Sequence, residues 1–189
     1  MGRVTDNKSV EFFETQFQRQ IRERDYVLNP FETVALDYLR GYVLDLGSGL
    51  GNLSLEAARR GHRVVAVEAS PAAVARINAD AQREGLAARA IQADLEKWTI
   101  GEAYDTIVAI GLLMFFRRET ALELLRAIEQ HVLPGGRAIV NVLIEGTTYM
   151  GMFDADHYYL FAPDELEERL SGWNILLSRR QTFPAPGET

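Results

Sequence analysis

Three glycines at alternate positions, Gly47, Gly49 and Gly51, follow Asp45 in the stretch VLDLGSGLGN, residues 43–52. Glycine has no Cβ, reaches positive φ, and lets another molecule touch the main chain. A plain strand-to-helix turn needs one such residue or two; three in this spacing imply a ligand held against the backbone. Glu68 stands 17 residues beyond Gly51, at the end of VVAVEA. A carboxylate there can accept hydrogen bonds from both hydroxyls of a ribose. Its other role would be a helix cap, but Ser70 already fills that place. Asp94, in ADL, can accept an exocyclic amine of adenine, or it can be a solvated turn acid. The ordered series of glycines, acid and acid is more specific than any member.

A nicotinamide-binding loop needs G-x-G-x-x-G, with a small last residue for close helix packing. Counted from Gly47 that position is Asn52, and from Gly49 it is Ser54. Neither fits. The alternate-glycine form suits a ligand without a pyrophosphate, and S-adenosylmethionine is such a ligand, with its amino-acid tail along the loop. Methyl transfer from a sulfonium needs alignment and exclusion of water rather than an acid, and alignment can supply about 7–11 kcal/mol of the barrier. A soft nucleophile such as a thiolate or a chalcogen oxyanion needs no strong base. Candidates for one are His157 and Tyr149, in the long aromatic stretch EGTTYMGMFDADHYYLF, residues 145–161. Tyr158 and Tyr159 are further polar contacts there. Simple surface or structural roles compete for each. His62 and His131 sit at helix ends, where a dipole role suffices. The histidines show no ligand-like spacing, so no metal site is expected.

The elements that must carry these residues alternate. Val10, Phe13, Phe17 and Ile21 form one apolar stripe of a first helix. Asn29, Pro30 and Glu32 read as N-cap, first turn and capping box of a second, ended by Gly41. From Tyr42, strands YVLDLG, HRVVAVEA, ARAIQAD, YDTIVAIG, RAIVNVLI and WNILLSRRQTF are expected. Helices are expected over 53–60, from Ser70-Pro71 to Gly85, over 120–132, and over 163–170. Alternation of this kind implies an α/β fold, a doubly wound, mostly parallel sheet in three αβα layers, with ligands beyond the carboxyl ends of the strands. The expected organisation is one domain over 1–189, with a helical cap over 1–41 and an α/β core over 42–189. The core carries a lid-like insertion over 145–162. The cap could close over a cofactor. Phe17 belongs to the packing stripe; Tyr26 lies off it and is a candidate cofactor contact.

Bulk properties agree with a small-molecule enzyme. The chain has 189 residues, no cysteine, 20 Lys plus Arg, 27 Asp plus Glu and a net charge of −7. That charge repels phosphate backbones, so nucleic acid is not an expected partner. The absence of cysteine excludes disulfides and thiolate chemistry. No apolar run is long enough to span a bilayer and the N-terminus is polar, so neither a membrane partner nor a signal peptide is expected, and the expected location is cytoplasmic.

From about Tyr42 to Phe183 the chain resembles a class I S-adenosylmethionine-dependent methyltransferase. LDLGSGLG matches that family's first motif, VVAVEAS its second, QADL its third, YDTIVAIGLL its fourth, and LPGGRAIV the turn before its fifth strand. The resemblance implies that Asp45 helps hold the methionine ammonium while Gly47, Ser48, Gly49, Gly51 and Asn52 form the tail loop. It implies that Glu68, with Ala69 and Ser70, holds the ribose, that Asp94 and Leu95 frame the adenine, and that Ile110 and Gly111 lie beside the sulfonium. S-adenosylhomocysteine would be the product. YDTIVAIGLLMFF and YLFAPDELEERLSGW are similar to the tellurite-resistance methyltransferase group (TehB-like), which implies a thiol or a chalcogen oxyanion as acceptor. Two features depart from the family. Its sheet normally has seven strands, the last two an antiparallel hairpin, whereas six runs are expected here; the hairpin partner is either missing from this chain or was never encoded, and dimerisation could cover the open edge. VAIGLL also replaces the Asn/Asp-Pro-Pro-aromatic motif of many amino-group methyltransferases, which disfavours their substrates. The rival readings are a non-catalytic module that senses the same cofactor and an NAD-dependent oxidoreductase.

Overall fold

The computed structural model describes residues 8–148 and 150–182. Five strands form one sheet in the order β3-β2-β1-β4-β5. They are β1 (Tyr42–Leu46), β2 (Arg63–Glu68), β3 (Ala88–Gln92), β4 (Tyr104–Ile110) and β5 (Val132–Asn141), and every pairing is parallel. The helices are α1 (Lys8–Glu23), α2 (Pro30–Leu36), α3 (Asn52–Arg59), α4 (Pro71–Glu84), α5 (Arg118–His131) and α6 (Glu165–Arg169).

Strand β1 lies at the centre because it is apolar on both faces, as a strand covered on both sides must be. On one face Leu44 and Leu46 join Val65, Val67, Ile107 and Ala109 under Leu125 and Ile128 of α5. On the other, Val43, Val64 and Val108 pack against Leu36, Leu53 and Ala57 of α2 and α3. Leu44, Leu46, Ile107 and Ile128 are fully buried, and each such side chain contributes about 1.5–3 kcal/mol relative to exposure. The chain crosses from β1 outward to β2 and β3 and then back to β4, so the switch point lies between the tips of β1 and β4.

Local punctuation behaves as its chemistry dictates. Asn29 accepts the Glu32 amide at 2.9 Å and Glu32 reaches back to the Asn29 amide at 2.7 Å. Ser70 caps α4, Pro71 opens it, and Gly85 ends it in the left-handed conformation. Three expectations need correction. Gly41 does not end α2, which stops at Leu36. Gly41 instead lies against Asp105, whose carboxylate would sit 2.1 Å from an added Cβ and accepts the Tyr42 amide at 2.7 Å. Strand β5 begins before the LPGG turn rather than after it. Tyr104 pairs with Val132 and Thr106 with Arg137, so the turn bulges out of a continuing strand. The sixth run, WNILLSRRQTF, forms no strand over residues 173–182; Phe183 and the rest of the tail lie outside the described residues. Ile175, Leu176 and Leu177 are exposed there. A β-prone run becomes a strand only beside a partner, and this one has none to pair with among the described residues.

Candidate cofactor site

The loop after β1 is pinned from below and from the side. Gly47 and Ser48 donate to the Val67 carbonyl at 2.8 and 3.2 Å, and Gly51 donates to the Ser48 carbonyl at 2.9 Å before α3 starts. Gly47, Gly49 and Gly51 all have positive φ, at 65°, 53° and 72°. The three are not equivalent. A Cβ on Gly51 would lie 2.4 Å from Ile77 Cγ1, and one on Gly47 2.7 Å from Leu112 Cδ1. At Gly49 it would face the Phe17 ring edge at 3.4 Å. Gly51 is therefore hemmed in by the buried Ile77 side chain, and Gly47 by the end of the Leu112 side chain. Gly49 leaves its bare backbone toward the space under α1.

Glu68 is buried at the tip of β2. One carboxylate oxygen accepts the Gly49 amide at 2.9 Å, and the other accepts the Ala69 and Ser70 amides at 2.9 and 3.0 Å. Burial raises its pKa, and these three bonds oppose the rise. Asp45, on β1, is 4% exposed and accepts the Ser54 hydroxyl at 2.6 Å. Burial pushes its pKa up to about 7, with Glu32 and Glu68 adding repulsion and the Ser54 bond pulling the other way. The Ser48 hydroxyl is buried with no hydrogen-bond partner. A buried polar atom left unpaired costs about 1–3 kcal/mol, so a partner supplied from outside the chain fits this place.

Asp94 follows β3 and is half-buried. Its carboxylate accepts the Glu96 amide at 3.1 Å and the Lys97 ammonium at 2.8 Å. Leu95 beside it is buried in the main core. Ile110 ends β4; the Gly111 amide donates to the Asn141 carbonyl at 3.2 Å, and the space beside Gly111 is open. The structure thus brings the tips of β3, β2, β1 and β4 side by side, carrying Asp94, Glu68, the glycine loop and Gly111 in that order.

Other expected residues have different surroundings. The Tyr26 ring stacks on the Arg76 guanidinium at 3.6 Å, and its hydroxyl donates to the Ile21 carbonyl at 3.3 Å. Asn52 holds neighbouring chain, donating to the Val27 carbonyl at 3.1 Å and accepting from Arg76 at 2.8 Å. Ser70 caps α4 through its hydroxyl, which also donates to Glu14 of α1. His157 pairs with Glu96. Tyr149 lies outside the described residues. Tyr159 bonds Glu165, and Tyr158 is at the surface against Phe153.

Sequence reasoning missed Arg76, Glu14, Ser54 and an aromatic run. Arg76 is nearly buried, ion-paired with Asp80 at 3.2 Å, and bonded to the Leu50 carbonyl of the loop. Phe17, Phe13, Phe115, Phe153 and Tyr158 stack in succession at 5.0–5.8 Å between centroids. The run links α1, the turn after β4 and the 145–162 segment. The apolar stripe of α1 was the only signal for it. Among the described residues there is no metal-holding cluster of acids and histidines, and no helix long and apolar enough to cross a membrane.

Comparison with known proteins agrees with this geometry. Residues 43–136 match the family model described as a methyltransferase domain. Hemagglutinin 1 of Eikenella corrodens is 32% identical over 133 residues, 70% of this chain and 44% of its own length. The probable S-adenosyl-L-methionine-dependent methyltransferase TehB of Haemophilus influenzae is 28% identical over 134 residues, 71% of this chain and 46% of its own. The matches span less than half of these relatives. The crystal structure of TehB from Haemophilus influenzae superposes with a TM-score of 0.72 at 23% identity, over 86% of this chain and 56% of that one, and shows the same fold. The glycine loop at the switch point, the fold and the matched residues make this chain a member of the class I S-adenosylmethionine-dependent methyltransferase family, similar to TehB.

Proposed function

We propose that this protein transfers a methyl group from S-adenosylmethionine to a small-molecule acceptor. The observation that carries the reading is the order of groups along the carboxyl edge of the sheet: Asp94, Glu68, the glycine loop with Asp45 beneath it, then Gly111. Neighbouring strands lie about 4.8 Å apart, so four tips span roughly 14 Å. An adenosyl group with an amino-acid tail lies naturally along such a row, adenine toward Asp94 and Leu95, ribose toward Glu68, Ala69 and Ser70, tail along Gly47 to Asn52. The unpaired Ser48 hydroxyl and the bare backbone of Gly49 fit it.

When bound, this cofactor supplies an activated methyl on a sulfonium. The residues of the chain then have three tasks. Asp45, once ionised, neutralises the tail ammonium. Glu68 fixes the loop through the Gly49 amide and its own turn through the Ala69 and Ser70 amides, while offering carboxylate lone pairs to hydroxyls. Gly111 and Ile110 leave open space for an incoming nucleophile, and the aromatic run from Phe17 to Tyr158 keeps water away. His157 is hydrogen-bonded to Glu96 through Nε2. The acceptor class that the TehB resemblance suggests, a thiol or a chalcogen oxyanion, needs no strong base. The domain plan that goes with this reading is an N-terminal helical cap over 1–41 on a core over 42–189.

The deciding experiment is an assay for S-adenosylhomocysteine release across thiols, selenite, tellurite, amines and phenols. Release with a thiol or an oxyanion supports the acceptor class. Release with amines or phenols alone overturns that class and keeps the enzyme. Tight cofactor binding without release on any acceptor replaces the enzyme by a sensor, and no binding removes the site.

A further inference from the structure

The segment that follows β5 doubles back on itself. Glu145 donates to the Phe161 carbonyl at 2.9 Å, Phe161 to the Leu143 carbonyl at 3.2 Å, and Tyr159 to the Met114 carbonyl at 3.0 Å. Its return limb is therefore fastened to the end of β5 and to the turn after β4. The part before it bears His157, whose Nε2 bonds the carboxylate of Glu96. Glu96 belongs to the connection after β3, two residues beyond Asp94, and its own amide donates to the Asp94 carboxylate at 3.1 Å. Strands β3 and β5 are the two outer strands of the sheet. The bond between His157 and Glu96 thus joins segments that leave opposite edges, with both side chains about a quarter exposed, at 21% and 32%.

We propose that His157 and Glu96 form a latch that fastens the 145–162 segment to the adenine-side loop, with His157 acting as a positioning residue. The proposal rests on the cofactor reading given above. Against an ionised carboxylate, Nε2 is the protonated, donating nitrogen, and in the neutral ring the lone pair lies on Nδ1. Closing the latch holds Asp94 through the Glu96 amide, so ordering of the acceptor-side segment and ordering of the adenine frame become one event. Binding of cofactor then favours a closed segment, and a closed segment favours cofactor, by the same factor. The charged neighbours are Lys97, which pairs with Asp94 at 2.8 Å, and Asp154, whose carbonyl accepts the His157 amide at 3.1 Å.

The test compares Glu96→Ala, His157→Ala, His157→Lys and the Ala/Ala double variant. Cofactor affinity is read by calorimetry, the single-turnover rate at saturating cofactor by rapid quench, and opening of 145–162 in the free protein by hydrogen exchange. Either Ala variant should bind S-adenosylmethionine about 3–10-fold more weakly, the size of one partly exposed charged hydrogen bond. The double variant should lose no more than the worse single one, because both remove the same bond. His157→Lys, which can donate to the same carboxylate, should recover affinity, and the losses should fall on KM rather than on the single-turnover rate. Faster exchange over 145–162 in the Ala variants is expected with no ligand present. Independent losses that multiply in the double variant, unchanged exchange, or a His157→Ala variant with normal affinity and an abolished single-turnover rate would each overturn the latch. If the wild type binds no cofactor, the functional proposal falls, and the exchange measurement alone decides the latch.

Discussion

The carboxylate of Glu68 accepts the amide of Gly49 at 2.9 Å, so the acid at the tip of β2 holds the middle glycine of the loop after β1. The same side chain takes the amides of Ala69 and Ser70. It is therefore a bracket for the loop as well as the proposed partner of a ribose. Glu68→Ala leaves three amide donors short of an acceptor and should cost about 3 kcal/mol of stability together with at least a tenfold loss of cofactor affinity. Glu68→Gln should fall between it and the wild type, since its NH2 group can meet one of those amides only donor to donor. Urea denaturation and calorimetric titration of both variants measure the two effects, and an unchanged affinity in Glu68→Ala would remove Glu68 from the cofactor site.

Alanine at Gly51 and at Gly49 should behave differently although both backbones are left-handed. Left-handed strain alone is about 1–2 kcal/mol. At Gly51 the new methyl would also overlap Ile77 at 2.4 Å, which brings the expected loss to about 2–4 kcal/mol. At Gly49 the nearest atom is the Phe17 ring at 3.4 Å, so the strain stands nearly alone. Gly49→Ala should keep most of its stability and lose cofactor binding, whereas Gly51→Ala should lose stability first. Denaturation midpoints beside titrations separate the cases.

Asp45 predicts a pH dependence with a definite sign. Its pKa is raised to about 7 by burial, so the folded protein holds this proton more tightly than the unfolded chain does. The corresponding stability is fully present below the ordinary aspartate range near pH 4 and is lost as pH rises through about 7. Asp45→Asn should flatten that slope. A cationic ligand needs the carboxylate, so affinity for S-adenosylmethionine should climb from pH 6 to 7.5, with release of a proton on binding. Titration calorimetry at pH 6.5 in buffers of different ionisation heat counts the proton; no difference between buffers would contradict it.

Arg76 joins the Leu50 carbonyl, Asn52 and the Tyr26 ring. Arg76→Ala should release the loop and the 24–29 linker together, weakening cofactor binding about tenfold. Arg76→Lys should not rescue it, because an ammonium cannot stack and fork at once. Tyr26→Phe should resemble the wild type, since the ring makes the contact. A double-mutant cycle of Arg76→Ala with Tyr26→Ala should show clear non-additivity in affinity.

The fold was legible wherever the signal was local. The capping box of Asn29 and Glu32 and the Ser70-Pro71 start of α4 depend on neighbours three residues apart, and the central strands on unbroken apolar runs. The candidate site was legible in its backbone parts for the same reason: glycine and strand-tip acids announce themselves by position. What was not legible depends on distant partners. Arg76 meets Leu50 across 26 positions, Ser70 meets Glu14 across 56, and His157 meets Glu96 across 61. No periodicity encodes such pairs. Over 173–182 the expected strand failed from the opposite side: its residues favour a strand, and strand formation waits on a neighbour that composition does not reveal.

Helix α1 touches both halves of the site. Phe17 lies on Gly49, Glu14 is bonded to Ser70, and the Ser9 hydroxyl donates to the Met152 carbonyl at 3.0 Å. A nucleoside seated beneath it would be roofed over, able to leave only after the roof lifts.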